Sequence, residues 1–508
     1  MNGSRVWMGS THLRHDEFRI SEGSGSARSR RVSVFAAIAV LAAISCHHDP
    51  PRPAPSQLID CDLVREDLAV VREAITEGHA ALHRYRSRGE VEAILDGLEQ
   101  CPPSGATPIQ LWAGLSQAFA ALEDGHLTAL PSAPLYEDIL NTPGRFLPLT
   151  VRVIDGSPIV IDALPTVGIA PGCEIASING VPGRELIATL ERMVPADGSV
   201  KSRKRHVVGR DFSQLLAFHF GFLSEYSIQF HGADGSKGAA MVRTLPWRSI
   251  RELRGAPFQA STQGTGMVDV RPDSVAILRL STFAAGREAD VDGFLESAFE
   301  TIRGSGARTL ILDIRKNGGG RDANGALLFS YIAERPFRYA KRRTLNRKHY
   351  EFLEGTPEWP MNFRLKLLAR TERPDGRFDL DEDLDQLHEP KKGAFLGRVL
   401  LLADGSTFSV GCEVAALFKG QRRGEIIGEE CGNAYQGDSG ATVGLELPNS
   451  GLIINVPIVE YELDVPPIQA LDRGVLPDVE IVPSANDVIA GTDVVLAEAL
   501  RRAIDKRR

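Results

Sequence analysis

Cysteine, aromatic residues and excess positive charge are all scarce in this sequence. Six cysteines among 508 residues are too few for a disulfide scaffold. The chain has 58 basic and 66 acidic residues, and its formal net charge of −8 repels nucleic-acid phosphates. The longest apolar run, from Val32 to Ile44, is too short to cross a bilayer comfortably. The remaining composition, 43% hydrophobic and 24% charged, is typical of a soluble globular protein and excludes a disordered chain.

Several catalytic motifs are missing as well. The sequence contains no G-x-S-x-G elbow, no H-E-x-x-H helix and no C-x-x-C pair. Their absence removes support for an α/β-hydrolase and for a zinc enzyme. The Rossmann and Walker glycine patterns are absent too, which argues against dinucleotide and nucleoside triphosphate sites.

The N-terminal segment has the order of an export signal. Residues 28–45 read RSRRVSVFAAIAVLAAIS, with arginines, then a short apolar run, then small residues. Cys46 follows as in a bacterial lipoprotein, with simple cleavage as the alternative. We treat residues 1–45 as a signal peptide with a doubtful extension and residues 46–57 as a Pro-rich tether. The chain is therefore predicted to be exported to the periplasm or cell envelope and anchored to the membrane surface by a lipid.

Export would permit disulfide bonds. Cys61 and Cys101 form one candidate pair, and Cys412 with Cys431 forms another. Buried reduced cysteines are the alternative for both pairs.

The mature chain divides by pattern into three regions. Residues 58–135 have apolar residues at helical spacing and predict a helical cap. Residues 136–266 predict strands and a hairpin, while residues 267–508 alternate strands and helices as in an α/β domain. A charged stretch at 336–394 interrupts that alternation and is interpreted as an insertion that rims the site, mainly as solvated loop.

Three short segments have the residue types that catalysis needs. Glycines 318–320 end a strongly apolar strand, where backbone N–H groups can cradle a phosphate, form an oxyanion hole or simply make a tight turn. Ser409 stands between a strand and a helix, at the edge where open α/β sheets bind ligands, although a helix cap is the plainer interpretation. His126 follows a helix and is a candidate general base, or an ordinary satisfied histidine.

Taken in this order, the segments resemble the tail-specific (C-terminal processing) protease and tricorn core protease family of serine peptidases. The resemblance covers nearly the whole mature chain and rests on six ordered motifs. These are DGH at 124–126, the middle segment VGIAPGCEIASING, LDIRKNGGG, STFS at 406–409, IIGE at 426–429 and DRGVLPDVEI at 472–481. It implies an α/β catalytic domain of the crotonase-like or ClpP-like β-α superhelix type. An N-terminal helical cap would precede it. The middle segment itself resembles a PDZ-like α+β module, with a plain β-rich spacer as the alternative.

The resemblance also implies roles for individual residues. Ser409 matches the nucleophile and His126 the base of the triad-type branch. Gly319 matches an oxyanion-hole donor, with the N–H of Val410 as the second donor. Asp472 is the first candidate for the acid that orients the histidine. Two glutamates follow it in order, Glu462 and then Glu460.

Two departures from the family pattern bear on the mechanism. The tail-specific branch uses a serine–lysine dyad, whereas Asn433 stands where that lysine would be. No lysine lies between Lys419 and Lys506, so the base must be the histidine. The second departure is Cys412, which holds a slot that often carries glutamate, with Glu413 next to it.

The sequence therefore predicts an exported serine endopeptidase of the Ser-His-acid type, acting on peptides or unfolded proteins without a metal or organic cofactor and without nucleic acid. A catalytically silent peptide- or lipophile-binding lipoprotein on the same scaffold is the alternative, and an esterase or transpeptidase would differ only in substrate.

Overall fold

The structure is a computed structural model that describes residues 53–142, 145–254, 265–284, 290–380 and 385–505. The predicted export signal, Cys46 and most of the tether lie outside the described residues, so they stay predictions. No helix of the described residues is long and apolar enough to cross a membrane.

The helices and strands are numbered here in chain order. The α-helices are α1 Cys61–Gly78, α2 Arg88–Leu98, α3 Pro108–Ala121, α4 Ala133–Asn141, α5 Gly183–Glu191, α6 Lys201–Arg210, α7 Phe212–Phe220, α8 Trp247–Arg254, α9 Val291–Gly304, α10 Asp322–Ser330, α11 Pro360–Leu368, α12 Val410–Gly420, α13 Ala485–Ala490 and α14 Val494–Ile504. The strands are β1 Thr128–Pro131, β2 Leu149–Ile154, β3 Ser157–Ala163, β4 Glu174–Ile178, β5 Val181–Pro182, β6 Glu225–His231, β7 Lys237–Arg243, β8 Gly266–Val270, β9 Val275–Leu280, β10 Thr309–Asp313, β11 Phe337–Arg338, β12 Ala340–Leu345, β13 Ala369–Glu372, β14 Phe378–Leu380, β15 Leu387–His388, β16 Arg398–Ala403, β17 Gly424–Gly428, β18 Ser439–Glu446, β19 Leu452–Leu463 and β20 Val479–Glu480.

A mostly parallel sheet carries the α/β part of the chain, as the sequence predicted. Its order is β20-β17-β16-β10-β9-β8, and only β8 runs antiparallel to its neighbour. Every residue of β10 is buried, because α9, α10 and α12 pack on one face of the sheet and α14 on the other. Such burial explains the continuous apolar run of this strand. The turns that follow β10 and β16 hold the glycines and Ser409.

Helices α1, α2 and α3 share one hydrophobic core with the charged insertion and a second sheet. That sheet has the order β1-β19-β12-β14-β13, with β18 also paired to β19. Apolar residues of α1, α2 and α3 pack against β18 and β19 and against Leu345, Tyr350 and Leu365 of the insertion. The prediction of a mainly solvated loop at 336–394 is therefore wrong, because this segment supplies three strands of the sheet. The charges of this segment suggested a solvated loop. Yet Arg343 is only 2% exposed, because it is paired with Asp385 inside the structure.

A third sheet forms the middle region with a core of its own. Strands β2, β3, β4, β6 and β7 pair in that order, and β5 pairs with β4. The apolar sides of α5, α6 and α7 pack on it around Ile178, Leu186 and Phe212. The loop between α5 and α6 and helix α6 itself reach the carboxyl edge of the parallel sheet.

The described cysteines are free thiols rather than disulfides. Cys61 and Cys101 nevertheless lie within side-chain hydrogen-bond reach of each other, and so do Cys412 and Cys431. The two candidate pairs are therefore neighbours, with the reduced thiols of the alternative rather than disulfide bonds.

The turn after β10 is tied to the C-terminal helices by Arg315, which yields a prediction about stability. Its guanidinium donates to both carboxylate oxygens of Asp313, at 2.9 and 2.8 Å, and to both of Asp493, at 2.7 and 2.8 Å. Since Asp313 is buried, Arg315→Met should lower the free energy of unfolding by about 3 kcal/mol in urea titration. Arg65→Met breaks only the exposed pair with Asp62 and should cost less than about 1 kcal/mol. Equal losses in the two variants would show that the Arg315 pairs are not structural.

Candidate active site

Ser409 sits at a strained turn between β16 and α12. Its φ is 52° and its ψ −130°, a conformation that non-glycine residues rarely adopt. The preceding turn is held by Asp404, which accepts the N–H groups of Ser406 and Thr407 at 3.0 Å each. The serine is half-buried and caps α12, so its hydroxyl lies near the positive end of that helix.

Gly319 lies directly against Ser409. A Cβ added to this glycine would be 2.6 Å from the Ser409 Cβ, and the φ of Gly319 is 99°, so only glycine fits. The N–H of Gly319 donates to Oδ1 of buried Asn317 at 2.9 Å. The predicted oxyanion-hole donor therefore lies beside the serine, but its N–H already donates to Asn317. Val410 is the first residue of α12, where backbone N–H groups have no partner within the helix.

His126 is held beside the same turn by stacking. Its ring centroid lies 4.6 Å from that of Phe408, the residue before the serine, and the Arg203 guanidinium lies 3.4 Å from the same Phe408 ring. The His126 Nδ1 is buried without a hydrogen-bond partner in the described residues, and no hydrogen bond joins the imidazole to Ser409. Burial, together with the positive charge of Arg203 and against the attraction of Asp124, lowers the pKa of His126 to about 4. The ring is thus neutral at pH 7, as a proton acceptor must be.

A buried carboxylate, Asp124, organises the loop that carries the histidine. Its Oδ1 accepts the backbone N–H of His126 at 2.8 Å, and its Oδ2 accepts the Ser439 hydroxyl. The Nε2 of His79 lies 3.2 Å from Oδ2 and makes no hydrogen bond with the described residues. Since the Nδ1 of His79 accepts the N–H of Ala81 at 3.2 Å, the Nε2 is the protonated nitrogen. Burial alone would raise the pKa of Asp124, but His79, His126 and Ser439 hold it well below its usual range.

The three acids predicted to orient the histidine lie elsewhere in the structure. Asp472 is exposed, and its carboxylate accepts the Ser199 hydroxyl at 2.8 Å. Glu462 pairs with Lys341 and Arg342, while Glu460 pairs with Arg377 and Arg84. No contact of these carboxylates with His126 occurs among the described residues. The carboxylate whose charge acts on the imidazole is Asp124.

Two buried polar residues connect the serine turn to the histidine loop. The Oδ1 of Asn433 accepts the N–H of Ser409, and its Nδ2 donates to Oδ2 of Asp197 at 3.0 Å. The Oδ1 of Asp197 accepts the N–H of Gly125 at 2.7 Å. Burial first, and then the nearby charge of Asp124, raise the pKa of Asp197.

Sequence reasoning found Ser409, Gly319 and His126 because each belongs to a recognisable motif. It missed Asp197 and Arg203, which lie in an unremarkable turn and a basic helix of the middle region. The basic run KSRKRH at 201–206 was the only visible signal for Arg203. Ser439, from a separate part of the chain, is likewise buried and bonded to Asp124.

Comparison with known proteins covers both sequence and structure. Residues 274–481 match the model of peptidase family S41. No curated protein matches the chain by sequence. The structure of mature CPAF complexed with lactacystin is 16% identical, with a TM-score of 0.63 over 87% of this chain and 98% of that chain. A second structure of mature CPAF is 15% identical, with a TM-score of 0.61 over 88% and 98%.

The photosystem II D1 C-terminal processing protease is 15% identical to the chain. Its TM-score is 0.40 over 85% of this chain and 98% of that chain. At these identities the two CPAF structures show a shared fold, with mixed α/β content, and nothing about substrates.

The low pKa of His126 gives a direct test of the site's electrostatics. Titration followed by NMR of the imidazole should give a pKa of about 4 instead of 6.5. Arg203→Gln should raise the pKa, because it removes a nearby positive charge, while Arg205→Gln on the same helix should leave it unchanged. Because the histidine is protonated in the unfolded chain below pH 6.5 but stays neutral in the folded chain down to about 4, its contribution to stability falls as the pH drops through that window. A wild-type pKa near 6.5 would contradict this placement of the ring, in which Nδ1 is buried.

Proposed function

We propose that this chain, whose residues 274–481 match the model of peptidase family S41, is a serine peptidase of that family, with Ser409 as its nucleophile and His126 as its general base. The observation that carries this proposal is the arrangement at the carboxyl edge of the parallel sheet. A strained, half-buried serine at a helix start stands beside a close-packed glycine and next to a neutral histidine.

The proposed reaction is an acyl transfer to Ser409. His126 accepts the proton of the Oγ as it attacks the peptide carbonyl, and the leaving amine then receives that proton. The N–H of Val410 at the start of α12 stabilises the oxyanion, with the N–H of Gly319 as a second donor once a substrate displaces it from Asn317. Water then hydrolyses the acyl-enzyme by the same route in reverse.

The imidazolium formed in this reaction needs a nearby negative charge. We propose that Asp124 supplies it, because this carboxylate is buried, stays ionised and acts electrostatically on His126. Asp472, the sequence-based choice, would have to leave Ser199 to reach the ring. The silent-binding alternative is not favoured, since residues 274–481 match a peptidase family.

We propose further that the other parts of the chain serve an exported peptidase. The middle sheet, with its α6 helix beside the serine turn, would act as a PDZ-like peptide-binding module that adds a substrate strand to a sheet edge. The cap would form the opposite wall of the groove. Export and lipid anchoring at Cys46 remain predictions from the N-terminal sequence. The substrates would be peptides or unfolded proteins.

The nucleophile can be tested with a fluorophosphonate probe, which reacts only with an activated serine. Ser409→Ala should abolish labelling and lower peptide hydrolysis by about 10⁵-fold, because no other group replaces the Oγ. Ser406→Ala, three residues earlier in the same turn, should still be labelled. Labelling that persists in Ser409→Ala would assign the reactive serine elsewhere.

The acid can be identified by comparing two carboxylate-to-amide changes. Asp124→Asn should lower kcat by about 10³- to 10⁴-fold, as loss of the orienting acid does in other triads. Asp472→Asn should stay within about twofold, as for a surface substitution. Steady-state kinetics on one peptide substrate measures both, and the reverse ranking would restore Asp472 as the orienting acid.

A further inference from the structure

Asn433 joins the nucleophile turn to a buried carboxylate through both ends of its side-chain amide. Its Oδ1 accepts the N–H of Ser409, and its Nδ2 donates to Asp197 at 3.0 Å. The side chain is fully buried, so neither end can exchange its partner for bulk water. An amide is the neutral group that both accepts and donates in this way.

Asp197 continues the connection to the histidine loop. Its Oδ2 accepts the Asn433 amide and the N–H of Ala434 at 3.1 Å, while its Oδ1 accepts the N–H of Gly125 at 2.7 Å. Gly125 directly precedes His126. One unbroken chain of hydrogen bonds therefore runs from the backbone of the nucleophile to the backbone beside the base.

The carboxylate also dictates which way the Asn433 amide points. Because Asp197 offers only acceptors when ionised, it draws the Nδ2 of Asn433 toward itself and leaves the Oδ1 for Ser409. The Ser409 turn has an unfavourable backbone conformation, which persists only where surrounding contacts impose it. The bond from Asn433 is such a contact.

The packing around this bridge leaves little freedom. A Cβ at Gly125 would be 3.0 Å from Asp197 Oδ1 and 3.0 Å from the Phe408 ring. The same ring stacks on His126. A change in the bridge would therefore shift the histidine loop and the serine turn relative to each other.

We propose that Asn433 and Asp197 are positioning residues that set the relative placement of Ser409 and His126. This inference rests on the proposed function, since it concerns the same serine and histidine. It makes Asp197, from the loop between α5 and α6, a contribution of the middle region to the site. Neither residue touches the reacting atoms.

The test uses an exchange of the two side chains in the full-length protein. Asn433→Asp sets a second carboxylate against Asp197 and should lower kcat by about 100-fold, the usual effect of a small misplacement of catalytic groups, with KM near the wild-type value. Asp197→Asn should lower kcat in the same direction. The double exchange restores a donor between the two positions and should recover about tenfold over Asn433→Asp. The rate of fluorophosphonate labelling should follow kcat across all three variants.

Asn449→Asp provides a matched control for misfolding. Asn449 also donates its amide to a buried carboxylate, Asp67, at 3.2 Å, but in the turn between β18 and β19. The control should lower the melting temperature by an amount similar to that of Asn433→Asp and leave kcat unchanged. If Asn433→Asp does not fold, Asp197→Asn and the double exchange give the same comparison.

Two results would overturn the inference alone. The first is that Asn433→Asp has the kcat of the wild type, and the second is that the double exchange is no more active than the single variants. Both results count only if the wild-type enzyme itself hydrolyses peptide. A wild-type protein that neither hydrolyses peptide nor reacts with the probe would instead overturn the proposed function, and this inference with it.

Discussion

The parallel pairing of β10 with β16 is the constraint from which the site follows. These strands align residue by residue from Thr309 with Arg398 to Asp313 with Leu402. Their turns must therefore emerge side by side at one edge of the sheet, which is where open α/β sheets bind ligands. That register puts Gly319 against Ser409, with no space for a side chain between them. The pairing depends in turn on burial of both faces, because only helices on each side can remove so many apolar residues from water.

The site is a buried polar network set into this apolar frame. Asp124 and Asp197 are both shielded from solvent, and their pKa values move in opposite directions. His79 and Ser439 stabilise the ionised form of Asp124. Asp197 instead accepts one side-chain amide and two backbone N–H groups and forms no ion pair with the described residues. Polar groups in such surroundings interact strongly when they are satisfied and cost much when they are not. The network thereby rigidifies two loops that come from opposite ends of the chain.

The long strand β19 explains how the N-terminal helices reach that network. It pairs with β1, β12 and β18, so it links the segment after His126 to the insertion and to the C-terminal region. Helices α1, α2 and α3 therefore share the core of the second sheet, and the histidine that follows α3 is brought to the serine turn by that sheet. The sequence could not reveal this arrangement, because β1 and its partner β19 are separated by hundreds of residues. In addition, the strands of the insertion carry charged residues such as Arg343, which made the segment look like a loop. Near residue 491 the chain forms two helices rather than one, because Gly491, with φ 65°, ends α13 before α14 begins.

Local sequence patterns were enough to predict the alternation of strands and helices after residue 267, the glycine turn and the serine at a helix start. They also showed that Asn433 stands where a catalytic lysine would be. These features are local, since each depends on a residue type or on a spacing of a few positions. Tertiary structure decided which carboxylate acts on His126, that Asn433 bonds the backbone of Ser409, and that Asp197 and Arg203 enter the site from the middle region. Such contacts join segments far apart in the chain, and only the packing of the three sheets brings them within hydrogen-bond distance.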